Sequence, residues 1–407
     1  MRKKLFQILS ISLILLCLVS CKSATNITSQ NTTITIASRD GTFINIFNAV
    51  KGEFEKTHNC TINIVALSSD EIYTNTLKDI KNDVASFDII MVDDPLMPEY
   101  IQKDVLCNLT QLGYTDDEDF VEKSRLLGKA PYPLGATFAL PFSGNVQLIF
   151  YNADLVGQNI DLSNWDAIYD VTKTVNSRNK CGYAIRGQSG NPIVSDFLPI
   201  LWAFGGDLFD NNNNVILYSD NSKEALNFYC KLYKTGCNFQ KDELVAAISN
   251  GEAAIGLGWP TWFISESGVS AEIAQIPGKK DSSSPSLPTG EIGNWLLGIT
   301  NNSANKELAL ELITFLTSRE VQKEAVKYGG IPTRTSVFRD SEIITKYPYF
   351  DVIYQGTNNS RVRPRTAKWS KIEEVFGEQL VKCINGEQSV DETLQISQEK
   401  IEELISE

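Results

Sequence analysis

The chain has 407 residues, 21 % of them charged, with 37 lysines and arginines against 50 aspartates and glutamates, a formal charge of −13. A surface of that sign repels nucleic acid, so no nucleic-acid partner is expected. Its one histidine, His58, argues against His-based metal sites and against Ser-His or Cys-His nucleophilic catalysis. No metal, no cofactor and no enzymatic activity is expected.

The N-terminus reads as an export signal over residues 1–20. Arg2, Lys3 and Lys4 precede an apolar run from Leu5 to Val19, broken by Gln7, Ser10 and Ser12 and too short for a comfortable membrane span. The run ends in Leu18-Val19-Ser20-Cys21. This resembles the lipobox of bacterial lipoproteins, which implies lipid on Cys21 and a location at the outer face of the cell membrane, through the lipid anchor alone. Losing residues 1–20 removes three basic and no acidic residues, taking −13 to −16. Residues 21–33, polar and without periodicity, read as the lipidated cysteine and a flexible tether.

The roughly 385 residues that follow are too many for one core, so two lobes are expected. The first opens as strand, helix, strand, helix, strand. Ile34-Thr35-Ile36 is a strand, Phe43, Ile46, Phe47, Val50 and Phe54 recur at helical spacing, and Thr61 to Val65 is a second strand. Tyr73, Leu77 and Ile80 mark a helix, and Phe87 to Val92 is an apolar run of the kind buried in a parallel sheet. The alternation predicts an α/β lobe with ligand sites at the carboxyl ends of strands, where Asp93 and Asp94 stand.

Pro141 and Gly144 punctuate the chain before a strand at Val146–Tyr151. The first lobe is therefore assigned to 34–140 plus 293–334, and the second to 141–292 plus 335–407. The second lobe alternates again: a helix through Trp165, a strand at Tyr183–Ile185, a helix from Phe197 to Phe204, a helix through Leu226 and Tyr229, and a strand from Ala253. Lys279 to Gly290 is a loop, Trp295 to Ile299 a strand, and Ala304 to Leu316 a helix. The C-terminal section is helical, with Ile372, Phe376 and Leu380 on one face. Six cysteines follow Cys21, without zinc-site spacing. Cys230 and Cys237 are the closest pair, and whether they bond stays open.

Several segments, in order, resemble the family 1 extracellular solute-binding proteins of ABC importers. They are Phe54 to Asn59, Phe87 to Asp93, Leu140 to Leu155, Ala203-Phe204-Gly205-Gly206-Asp207-Leu208-Phe209-Asp210, Asn250 to Ile255, and Gly290 through Pro332. The resemblance implies a two-lobed periplasmic-binding-protein-like α/β fold with hinge segments and an interlobe ligand cleft. It also implies a monomer that captures a small solute, a mono- or oligosaccharide before others, for ABC permease subunits.

A pyranose offers an apolar face to an aromatic ring and a rim of hydroxyls to polar side chains. Trp259, Trp262 and Trp295 sit beside Gly or Pro at strand ends and fit the stacking role. Sugar binders of the family stack tryptophans at these segments. Asp93, Asn145, Asn294 and Arg363 are the hydroxyl-binding candidates that the resemblance implies. Asp94 either joins them or caps the next helix. Arg39 and Asp40 follow the first strand and either bind hydroxyls or shape the turn at Gly41. Trp165, Trp202 and Trp369 fall inside helical patterns and read as packing. Unlike many disaccharide binders of the family, the chain has no aromatic soon after the third-strand aspartate, so weaker stacking is expected from the first lobe. A polyol ligand and a secreted carbohydrate-active enzyme, which would need paired carboxylates, are the alternatives. An anionic ligand would want several cations at the cleft and a polyamine more carboxylates. Ferric-ion capture would want a tyrosine cluster, for which Tyr347, Tyr349 and Tyr354 are the candidates.

Overall fold

A computed structural model describes residues 32–157, 159–178, 180–279 and 290–406. The signal-like segment, Cys21 and most of the tether lie outside the described residues, as does most of the Lys279–Gly290 loop. In chain order the elements that position the site are β1 (Thr32–Arg39), α1 (Thr42–His58), β2 (Cys60–Leu67), α2 (Ser69–Asn82), β3 (Ile89–Asp93), β4 (Ala139–Ser143), β5 (Leu148–Tyr151) and α3 (Trp165–Asn176). They continue with β6 (Cys181–Ile185), α4 (Asn191–Ala203), α5 (Asp220–Lys234), β7 (Gly236–Asn238), α6 (Lys241–Ser249), β8 (Ala253–Gly258) and α7 (Pro260–Phe263). Last come β9 (Glu272–Ala274), β10 (Trp295–Ile299), α8 (Lys306–Leu316), α9 (Tyr349–Asn359), α10 (Trp369–Ile384) and α11 (Val390–Ser406). No helix among the described residues is long and apolar enough to cross a membrane.

Two five-stranded sheets organise the chain into two lobes. The first has the order β2-β1-β3-β10-β4, with β1 parallel to β2 and β3 and β10 antiparallel to β3 and β4. The second has the order β9-β5-β8-β6-β7. Ile36 and Ala37 of β1 and Ile89 to Val92 of β3 are buried in succession, as parallel strands covered by helices on both faces require. The apolar stripe of α1, Phe43, Ile46, Phe47, Val50 and Phe54, closes one face of the first sheet. Each such ring removed from water contributes about 1.5–3 kcal/mol. In the second lobe, α4 is almost wholly buried between its sheet and α5 and α10. Trp165, Trp202 and Trp369 are buried there, as their helical positions suggest.

Two sequence boundaries move. β1 begins at Thr32, which pairs with Cys60, so the strand takes two residues expected in the tether. β4 stays in the first sheet through Ser143, so the crossing lies after residue 143, not 140. Val326 and Ile331 pack with Phe150 and Phe338 of the second lobe, while Thr333 and Arg334 bond to Pro141, Thr317 and Asp117 of the first, so this segment touches both lobes. The six described cysteines are free, and the sulfur beside Cys230 is that of Cys383, 3.7 Å away, not Cys237.

The lobes join through a narrow ribbon. Gln147 N–H donates to the Glu291 carbonyl at 2.8 Å and Gly293 N–H to the Asn145 carbonyl at 3.0 Å. A third segment joins them: Ile292 N–H donates to the Arg361 carbonyl at 2.9 Å.

Candidate functional site

The topology aims strand ends at one place. β1 ends in Arg39 and β3 in Asp93, β6 is followed by Arg186 and β8 by Trp259. Antiparallel β10 starts there, with Trp295 directly opposite Asp93. A cleft of about 600 Å³ lies among these ends, a volume suited to a small molecule.

Arg39, Asp40, Asp93 and Trp295 line the first-lobe side of the cleft, Trp259 and Trp262 the other, and Asn145 and Arg363 its hinge end. Trp295 supplies the first lobe with an indole, packed 6.3 Å from Phe43, so the missing aromatic after Asp93 does not leave that lobe without a ring. Gly293 makes room for the partner indole: a Cβ there would come within 2.6 Å of the Trp259 ring.

Asp94 and Asn294 do not face the cleft, a correction to the expectation for both. Each is fully buried. Asp94 Oδ1 accepts from Arg363 Nη2 at 2.8 Å, and its backbone carbonyl accepts from Arg365 Nη1 at 2.8 Å. It caps no helix through its side chain. Asn294 Oδ1 accepts from the backbone N–H of Asn145 at 2.9 Å, which fixes the hinge. The one-residue step from Asp93 to Asp94 turns the side chain from the cavity to the interior.

Arg363, 4 % exposed, is the centre of a charge network. Besides Asp94 it lies 3.6 Å from Asp93 and 3.9 Å from Glu291. Enclosure on all but the cleft side pushes the Asp93 carboxyl up to about 7 against the pull of Arg363. A third of that side chain stays open to water, which moderates the push. Glu291, fully enclosed, is pushed up to about 8 by burial, again opposed by Arg363. These two acids therefore reach the hinge partly protonated near neutral pH.

The structure adds residues that the sequence reading missed: Arg186, Asn191, Lys241, Trp369 and Glu373 also line the cleft. Arg186 carried a usable signal, since it follows a predicted strand as Arg39 does. Asn191 and Glu373 are 182 positions apart and meet only in the fold, where the Asn191 amide donates to Glu373 Oε1 at 2.8 Å. Tyr347, Tyr349 and Tyr354 pack around Phe338 and Phe350 in the second-lobe core, away from the cleft. A second concavity of about 680 Å³ opens on the first lobe around Phe54, Leu310 and Phe315. Its charged members pair with partners, Arg334 with Asp117 at 2.7 Å and His58 with Glu311 at 3.2 Å.

Two α/β lobes joined by a ribbon, with strand ends converging on a polar, tryptophan-lined cleft, define a protein built to hold a small solute between halves. The chain belongs to the bacterial extracellular solute-binding protein family, whose sequence model matches residues 38–323. It is 23 % identical over 261 residues to a probable ABC transporter-binding protein of Deinococcus radiodurans, an alignment covering 59 % of this chain and 62 % of that protein's length. It is 22 % identical over 331 residues to a probable amino-acid ABC transporter periplasmic-binding protein of Sinorhizobium fredii, covering 75 % and 74 %. Among solved structures, maltose-bound MalE3 of T. maritima superposes with a TM-score of 0.80 at 22 % identity, over 92 % of this chain and 100 % of that one. A ribitol complex of a solute-binding protein from Agrobacterium radiobacter gives 0.79 at 19 %, over 92 % and 98 %. The GacH receptor of Streptomyces glaucescens, solved unliganded and with acarbose, gives 0.81 at 18 %, over 93 % and 99 %. At these identities the likeness establishes the fold.

Proposed function

We propose that this protein captures a sugar or sugar alcohol outside the cell and delivers it to the permease subunits of an ABC importer, working as a monomer held at the membrane by lipid on Cys21. The observation that carries the reading is the meeting of three indoles, Trp259, Trp262 and Trp295, with Asp93, Asn145, Arg363 and Glu373 around one cleft. Indoles take the C–H face of a sugar ring, and carboxylate, amide and guanidinium groups take its hydroxyls. Sugars and polyols in the structural relatives, maltose, ribitol and acarbose among them, support the same ligand class.

The ribbon at Asn145–Gln147 and Glu291–Gly293 is the hinge in this reading. Solute bound to both walls favours the closed arrangement by its differential affinity for it. The test is a thermal-shift screen of the mature protein against mono- and oligosaccharides, polyols and amino acids. A solute that binds only the folded protein adds about 2.7 kcal/mol of stability at one hundred times its Kd. A panel in which no sugar or polyol moves the melting temperature sinks the reading, and hydrolysis of an oligosaccharide would replace capture with catalysis.

A further inference from the structure

The cleft lining holds four cations, Arg39, Arg186, Lys241 and Arg363, against four acids, Asp40, Asp70, Asp93 and Glu373, and not every cation has a contact partner. Arg363 has a direct hydrogen-bonded carboxylate partner in Asp94, with Asp93 and Glu291 within ion-pair range, but Arg186 has none. Arg186 is 8 % exposed and opens onto the cleft at the end of β6. Its guanidinium lies 4.8 Å from the Trp262 ring, so one flat face is covered. Among the described residues, no carboxylate stands within ion-pair distance of its nitrogens and no acceptor takes its edge donors. The nearby Asp196 spends its Oδ2 on the Arg186 backbone N–H instead, at 2.9 Å. Asp196, Glu291 and Glu373 act on it only through space, a buried guanidinium without a contact partner is costly, and its five donors form a fork that matches a carboxylate.

A second observation points the same way. The N-termini of α1, α4 and α10 all open on this cleft through Thr42, Asn191 and Trp369. None has an acidic residue in its first turn, and none has a side chain capping it. Some first-turn N–H groups are already taken, Ile193 by the Gln188 carbonyl and Trp369 by the Thr366 carbonyl, so what the three starts share is the positive end of the helix dipole, which favours negative charge. The acids that oppose this field are Asp40, Asp70, Asp93 and Glu373 in the lining and Asp196 behind it; burial raises Asp93, Glu373 and Asp196, which weakens their opposition.

We propose that the ligand is an acidic carbohydrate, a uronic acid or an oligosaccharide ending in one, and that Arg186 seats its carboxylate while the indoles hold its rings. This rests on the carbohydrate reading above and narrows it. The Trp262 stack fixes the guanidinium plane, and the ligand carboxylate takes two edge donors in a bidentate pair. Arg39, whose guanidinium lies 5.5 Å from the Trp295 ring on the opposite wall, stands where the cleft can add a second cation as it closes.

The test is calorimetric titration of the mature protein with D-glucuronate, D-galacturonate and digalacturonate beside glucose, galactose and maltose, with L-glutamate as a non-sugar carboxylate. The expected result is at least one uronate binding about tenfold or more tighter than its neutral counterpart. Arg186→Gln should weaken that uronate about thirty-fold or more and weaken a neutral sugar about tenfold less than that. The unliganded variant should melt at the same temperature or higher, because an unpaired buried charge has been removed. Neutral sugars binding tighter than their acids, or R186Q weakening both alike, overturns the proposal and leaves carbohydrate capture standing. A lower melting temperature in unliganded R186Q with uronate affinity intact makes Arg186 structural and overturns it too. Binding of glutamate alone removes the carbohydrate reading and this proposal with it, and binding of no uronate overturns this proposal.

Discussion

The floor of the cleft and its second-lobe wall are both built around arginine, and they treat charge in opposite ways. On the floor, Arg363 and Arg365 converge on Asp94, a fully buried carboxylate from the first lobe, so the charges are matched before any solute arrives. On the wall, Arg186 is nearly as buried and has an indole but no carboxylate at contact distance. The floor is therefore structure, joining the segment after α9 to the start of the turn after β3, and the wall is a half-made interaction that a solute completes. Buried pairs hold a fold most firmly against loss of one partner, whereas an unpaired group is the signature of a binding surface.

The comparison is broken most directly at Asp94. Asp94→Ala leaves Arg363 and Arg365 without their shared partner and should cost about 3–5 kcal/mol, lowering the melting temperature by on the order of 5–10 °C. Asp93→Asn, one residue earlier and facing the cleft, should change stability by less than about 1 kcal/mol and act on solute affinity instead. Differential scanning calorimetry of the two variants reads the contrast directly. Equal stability losses would erase the distinction between floor and wall.

Trp295 tests the wall of the first lobe. It is half-buried on the first-lobe core, beside Phe43, and faces the cleft. Trp295→Ala should remove about 2 kcal/mol of affinity, roughly thirty-fold, and with it the thermal shift given by the solute. Circular dichroism should show an intact fold. A shift of undiminished size would take Trp295 out of the site.

Gly293 separates geometry from chemistry, because it touches no solute-binding group through a side chain of its own. Gly293→Ala places a methyl 2.6 Å from the Trp259 ring and 3.2 Å from Arg363 Nη2. The ring must tilt, and overpacking of this kind costs about 1–3 kcal/mol. The expected readout is a changed tryptophan fluorescence maximum with a several-fold weaker solute Kd. Unchanged fluorescence would mean that the ribbon absorbs the methyl elsewhere.

Much of this arrangement was legible in the chain. β1, β3, β6, β8 and β10 are apolar runs whose ends announce themselves by a change to Arg, Asp or Trp, and the helix stripe of α1 falls on the expected residues. Strand ends also gave Arg39, Asp93, Trp259 and Trp295 their places in the cleft, because a parallel sheet presents its carboxyl ends together. The same rule covers Arg186, which the sequence reading passed over. What sequence could not separate was Asp93 from Asp94, since facing depends on where β3 gives way to the turn Asp94–Leu96. Asn191 and Glu373 were hidden for a different reason: their hydrogen bond joins α4 to α10, and no local pattern encodes a contact across 182 residues.

The smallest effect is also the most specific to the hinge. Asp93, Asp196 and Glu291 have folded-state values near 7, 6 and 8, above their ordinary 3.8, 3.8 and 4.5. Burial is the first cause in each case, so ionising them works against the fold. Their contribution to stability is complete below the ordinary carboxylate range, falls progressively as pH rises above it, and is fully lost once pH passes the folded values of about 6 to 8. Acids held low by their partners, such as Asp119 and Asp340, lose their contribution only under more acidic conditions and do not confuse this window. The unliganded melting temperature should therefore fall by a few degrees between about pH 5.5 and 8.5. Glu291→Gln, which keeps a neutral group beside Ser195 and Arg363, should flatten that slope. A melting temperature that climbs across the same interval would show that these carboxyls enter the fold charged, with Arg363 outweighing burial at the hinge.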